Sequence, residues 1–215
     1  MEWIADLLQT ILHLDDKLPQ WAALYGPWIY AILFLIVFCE TGLVVTPFLP
    51  GDSLLFAAGA VAAKAPDELN VHLVVLLLTV AAVLGDGVNY AIGAVLGDQV
   101  RDGNRFIKKE HLARTHEFYE RYGAKTIILA RFVPIVRTFA PFVAGVGRMT
   151  YAKFATYNVV GAVIWVTSIT YAGYGLGNVP FVNKNFEIIV LAIIFISILP
   201  AVVEVVRARR AVKAL

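Results

Sequence analysis

Five ionisable residues stand where the chain is otherwise apolar: Glu40, Asp52, Asp86, Arg131 and Arg137. Arginine stays charged at any depth and offers phosphate a planar fork of N–H donors. A carboxylate poised between desolvation and a neighbouring guanidinium can load and release a proton in the working pH range. Two acids and two arginines together therefore read as a substrate and proton site. Arg131 and Arg137 would bind phosphate; Glu40 and Asp52 would couple protons. Asp86, in Gly85-Asp86-Gly87, reads equally as part of the proton path and as a structural Asp bonded to a neighbouring helix. The plain alternative for the whole cluster is a salt-bridge lock between two hairpins. Against it, a buried ion pair stabilises less than apolar packing does.

Composition says why those charges are out of place. The chain has 215 residues, 60% of them hydrophobic and only 16% charged, and its mean hydropathy is +0.75. Soluble domains carry roughly 25% charged residues, so one small core cannot hide this much apolar surface. Disorder is excluded on the same figures. The single cysteine, Cys39, excludes a disulfide scaffold, and a net charge of +2 excludes a nucleic-acid binder. What remains is an all-α integral membrane protein. At membrane depth an unpaired charge costs roughly 2.5–3.5 kcal/mol on insertion scales, so such residues are kept because they pair or because they work.

The elements that must position them follow from apolar run lengths. Residues 1–17 place Trp3, Ile4, Leu7, Leu8, Ile11 and Leu12 on one helical face, as an amphipathic interfacial helix does. Lacking early basic residues, the start does not read as a signal peptide. Residues 18–206 read as one membrane domain. A span needs about 20 apolar residues, and four stretches are predicted as spans: Leu18–Cys39 (starting near Gly26-Pro27), Leu69–Leu96, Phe154–Gly177 and Ile188–Val206. Two further stretches are broken. Residues 41–63 are interrupted by Pro47, Pro50, Gly51 and Asp52, leaving uncharged halves of 11 residues each. Residues 126–147 are interrupted by Arg131, Pro134, Arg137 and Pro141. Both are predicted as re-entrant helical hairpins, a form tolerated only where protein or water covers the broken backbone.

Lys and Arg set the orientation. Residues 101–125 carry seven of them and read as an amphipathic cytoplasmic segment; residues 207–215 form a basic tail. The positive-inside rule then places both termini in the cytoplasm. The two hairpins enter from opposite sides, an inverted repeat. Its sequence echo is faint: Pro50-Gly51-Asp52 before Ala57-Ala58-Gly59, against Pro134 and Arg137 before Val143-Ala144-Gly145. Paired interrupted segments are the usual pointer to a transporter site. Gly93 and Gly97, four apart, suit close helix packing; homodimerisation through glycine-rich faces stays open. Gly161, Trp165 and Gly173 read as packing.

Glu40, Pro47-Phe-Leu-Pro50-Gly51-Asp52, Arg131-Phe-Val-Pro134-Ile-Val-Arg137-Thr138, Ala144-Gly145 through Met149, Gly161-Ala-Val-Ile-Trp165 and Gly173-Tyr174 resemble the DedA family. This is the bacterial branch of the SNARE-associated or VTT-domain superfamily. The likeness runs from about residue 25 to about residue 180. It is strongest to the proteobacterial members needed for envelope integrity and cell division. The resemblance implies a multi-pass inner-membrane transporter driven by the proton motive force. It also implies a lipid substrate with a phosphate headgroup, undecaprenyl phosphate above all, with residues matching Glu40, Asp52, Arg131 and Arg137 as the functional ones.

Other classes remain beside this one. A proton-coupled monovalent-cation antiporter would use the same carboxylates but leave both arginines as counter-ions. A phospholipid flippase or scramblase would share the phosphate chemistry. A non-transporting scaffold would use residues 101–125 for docking. An enzyme is not expected, because no metal-ligand cluster, glycine-elbow serine or paired-Asp phosphotransferase motif is present. No cofactor or metal is implied.

Overall fold

The computed structural model describes residues 14–43, 51–101, 125–186, 188–193 and 195. Several expectations fall outside these residues: most of the N-terminal amphipathic helix, Pro47 and Pro50, nearly all of segment 101–125, residues 196–206 of the last span, and the basic tail.

Among the described residues the regular elements are helices: α1 (Leu14–Tyr25), α2 (Trp28–Gly42), α3 (Gly51–Lys64), α4 (Val71–Arg101), α5 (Lys125–Ala130), α6 (Pro134–Val146), α7 (Tyr151–Leu176) and α8 (Pro180–Lys184). Residues 188–193 are again helical. The stretch Leu18–Cys39 is divided at Gly26, whose φ of +52° is a left-handed turn that ends a helix without a Cβ penalty. Pro27 then prevents the ladder from resuming until Trp28. At 15 residues, α2 is about 22 Å long, shorter than a hydrocarbon core of about 30 Å.

Among the described residues two helices are long and apolar enough to cross a membrane: Val71–Gly97 within α4, and α7. They match the predicted spans to within a few residues. Asn70 starts α4 as an N-cap: its Oδ1 accepts from the N–H groups of His72 (2.9 Å) and Leu73 (3.1 Å), two of the donors a helix start leaves unsatisfied. The surface of α4 reverses that of a soluble helix. Leu76, Val80, Leu84, Val88, Ile92 and Val95 are exposed at helical spacing, while Asp86 and Asn89 are buried. Exposed leucine and valine beside buried aspartate and asparagine suit lipid as the solvent.

The chain forms two compact units. Of the described residues, the first takes those up to Ile36, those within Leu49–Leu78 and those from Val166; the second takes those within Val37–Phe48 and Thr79–Trp165. In the first, nearly every side chain of α3 is buried, and α3 meets the end of α7 backbone to backbone. A Cβ built on Gly59 would lie 2.0 Å from the Thr170 carbonyl oxygen, and one on Gly173 would lie 2.1 Å from that of Phe56. In the second, α6 meets α4 in the same way. A Cβ on Gly145 would lie 2.1 Å from the Tyr90 carbonyl oxygen, and one on Gly93 would lie 2.1 Å from that of Phe142. Each contact pairs Phe-x-x-Gly on the short helix with a residue three before glycine on the long one. The long helices continue alike, as Gly93-Ala-Val-Leu-Gly97-Asp98 and Gly173-Tyr-Gly-Leu-Gly177-Asn178. The faint sequence echo is thus a repeated packing device. The faces of Gly93 and Gly97 are taken up within the chain.

In the second unit α5 and α6 are consecutive helices joined by a short bend. The bend is a tight turn, in which the N–H groups of Arg131, Phe132 and Val133 donate to the carbonyls of Ile128, Leu129 and Ala130. Pro134 opens α6 at its first position, where a missing N–H does no harm. Pro141 lies inside α6 and is accommodated without ending it. Ile127, Ala130, Ala140, Ala144 and Phe154 pack as the local core.

Candidate functional site

The second unit brings four of the five membrane-depth charges together as two ion pairs. Glu40 stands in the last turn of α2, Asp86 midway along α4, Arg131 at the α5–α6 bend and Arg137 in the second turn of α6. All four are buried: 3%, 1%, 2% and 6% exposed, respectively. Arg137 Nη2 donates to Glu40 Oε1 at 2.5 Å. Arg131 Nη2 donates to Asp86 Oδ2 and to Asn158 Oδ1.

Arg131 is matched by Asp86, the acid whose reading was evenly divided. Asp52 lies in the first turn of α3, half-buried in the first unit. A carboxylate there complements the positive N-terminal end of the helix dipole.

Trp165 joins the two pairs. Its ring lies 4.6 Å from Arg137 Cζ and 5.9 Å from Arg131 Cζ, both inside cation–π range. One indole thus meets both guanidinium groups. From the sequence, Trp165 reads mostly as packing.

Two asparagines fix the helices that carry the charges. Asn89 Nδ2 donates to the carbonyls of Thr41 (3.2 Å) and Thr138 (2.8 Å), the residues directly after Glu40 and Arg137. Asn158 Nδ2 donates to the Val83 carbonyl at 3.1 Å, three residues before Asp86. Gly85 lets the end of α2 approach α4, since a Cβ there would fall 2.0 Å from Thr41 Oγ1. The available signal for both asparagines was an amide group within an apolar helix, the kind of residue that bonds across membrane helices.

Chemically, this is a buried, charge-balanced compartment with two guanidinium groups and two carboxylates. Protonation of either acid would remove the negative charge that faces its arginine. Among the described residues, no three His, Cys, Asp or Glu side chains converge as metal ligands would.

The architecture defines a helical protein with lipid-suited surfaces and ionic groups inside. Comparison with known sequences agrees: residues 49–175 match the VTT domain, and the chain belongs to that family, the DedA family. It is 55% identical to protein DedA of Escherichia coli over 98% of this chain and 97% of the relative. It is 45% identical to an uncharacterized membrane protein of Mycobacterium tuberculosis, covering 87% and 83%. It is 34% identical to the inner membrane protein YqjA of Escherichia coli, covering 86% and 83%. No solved structure matches. The chain is therefore a membrane protein of this family.

Proposed function

We propose that the chain is a proton-motive-force-dependent transporter of the bacterial inner membrane that moves a lipid with a phosphate headgroup. One observation carries this reading: two buried arginines, each held by its own carboxylate, share the ring of Trp165. A phosphate competes with a carboxylate for the same N–H donors. When Glu40 or Asp86 takes up a proton, its arginine loses an anionic partner and can accept the headgroup instead. When the proton leaves, the carboxylate reclaims the arginine and the headgroup is released. Proton uptake and phosphate binding are thereby coupled through one exchange of partners. Asp52 is retained as a further proton-coupling residue on α3. The lipid tail stays in the bilayer beside the apolar outer faces. The re-entrant placement of the hairpins belongs to this reading through the broken apolar runs, both termini in the cytoplasm through the distribution of Lys and Arg, and undecaprenyl phosphate as substrate through the family resemblance.

The experiment is Arg131→Lys in reconstituted vesicles loaded with labelled undecaprenyl phosphate. Lysine keeps the charge but gives up the fork. A lost contact of about 1.4 kcal/mol is tenfold in affinity, so the half-saturating lipid concentration should rise about tenfold or more. Unchanged movement by Arg131→Lys, at normal protein level, would overturn the phosphate role of Arg131.

A further inference from the structure

Arg131 makes its two hydrogen bonds through one nitrogen, Nη2; Nε and Nη1 are buried and have no hydrogen-bond partner among the described residues. Those two nitrogens carry three of the five N–H donors of the group, and buried donors are rarely left idle. The two partners of Nη2 differ in kind. Asp86 is an acid that can be neutralised. Asn158 has no proton to gain or lose and no charge to offset that of the arginine.

The orientation of the Asn158 amide is set by its neighbours. Its oxygen faces the guanidinium donor, and its nitrogen faces the Val83 carbonyl at 3.1 Å. The reverse orientation would set donor against donor and carbonyl against carbonyl. Along α7, Gly161 and Trp165 follow at three and seven residues, on the same face. A Cβ on Gly161 would lie 3.0 Å from Arg131 Cδ and 3.2 Å from its Nε, so the arginine stem rests in the space glycine leaves. Asn158, Gly161 and Trp165 together make a cradle for one side chain.

We infer that Asn158 is a positioning residue, which holds the Arg131 guanidinium in place without neutralising it, so that Nε and Nη1 are presented to a phosphomonoester oxyanion. This deepens the proposed function and rests on its phosphate reading. Asp86 faces Arg131 from α4, and the Arg137–Glu40 pair shares its indole from α6 and α2. Among these groups Asn158 is the partner that persists whichever acid is protonated. A guanidinium kept in place needs no reordering when the headgroup arrives, and such preorganisation raises affinity.

The test uses the full chain, purified in neutral detergent, with Trp3, Trp21 and Trp28 replaced by Phe so that Trp165 alone reports. The probe is dodecyl phosphate, followed by Trp165 fluorescence. Asn158→Ala should weaken binding about tenfold. Gly161→Ala, which displaces the arginine stem without touching Asn158, should also weaken it. Asn158→Asp is nearly isosteric, so a packing role would leave binding intact; here a second carboxylate occupies Arg131 and binding should be lost. Adding Asp86→Asn to Asn158→Asp restores one acid and one amide on Arg131, and should bring affinity back to within about threefold of wild type. Wild-type affinity in either Asn158→Ala or Gly161→Ala, in folded protein, overturns the inference while leaving the phosphate reading intact. So does failure of Asp86→Asn to rescue Asn158→Asp. Failure of the unaltered Trp165 reporter protein to bind dodecyl phosphate by calorimetry overturns both.

Discussion

Arg137→Ala is expected to abolish transport and to lower stability by roughly 3–5 kcal/mol, the usual result of removing one member of a buried ion pair. Glu40, at 3% exposure, would lose the guanidinium now 2.5 Å away. The contact of that guanidinium with Trp165 at 4.6 Å would go as well, adding about 0.5–2 kcal/mol. The informative companion is the double variant Glu40→Gln, Arg137→Met. Replacing both members of a buried pair is often neutral or stabilising. Thermal unfolding in detergent should therefore recover most of the lost stability in the double variant. Transport should not recover. If the double variant regains both, the pair is a lock and nothing more.

The second large effect is steric. Gly145→Ala would place a Cβ 2.1 Å from the Tyr90 carbonyl oxygen and 2.7 Å from the Ala94 nitrogen. These are backbone atoms of α4, so no side chain can swing aside. The two helices must part, and overpacking of this kind costs roughly 1–3 kcal/mol or more. Because α6 also carries Arg137, its displacement should misalign the ion pair with Glu40. Protein level, melting temperature and transport should fall together. Gly87→Ala is the control: nothing lies within 4 Å of its added Cβ, and alanine favours a helix interior by about 1 kcal/mol over glycine. It should leave stability unchanged or improved. Equal behaviour of the two variants would contradict the interlocked packing.

Apolar run length made the two long helices legible, because a stretch such as Leu69–Leu96 has few ways to satisfy its backbone in lipid except as a helix. The cost of burying charge singles out Glu40, Asp52, Asp86, Arg131 and Arg137, and the second unit pairs Glu40 with Arg137 and Asp86 with Arg131. Which acid meets which arginine was not legible. Depth along a helix can be counted in residues, but pairing depends on which face each helix turns inward and where the α5–α6 bend docks. Setting two hairpins tip to tip matches the arginines with Glu40 and Asp52 and gives no sign that Asp86 holds Arg131. Asn158 was passed over because a lone amide in an apolar run announces no partner until the facing side chain is known. The repeat was faint for a related reason: close backbone approach constrains only Phe56-x-x-Gly59 and Phe142-x-x-Gly145 and the glycines opposite, leaving the intervening residues free to diverge.

In the function we propose, proton movement drives a phosphate-headed lipid through this site. Its most direct test is uptake of labelled undecaprenyl phosphate in vesicles holding the purified protein, with and without an imposed proton gradient, beside Glu40→Gln and Arg137→Ala. Gradient-stimulated movement is expected in the wild type, and both variants should lose it. Folded wild-type protein that moves no lipid under either condition, or moves it equally with and without the gradient, would contradict it.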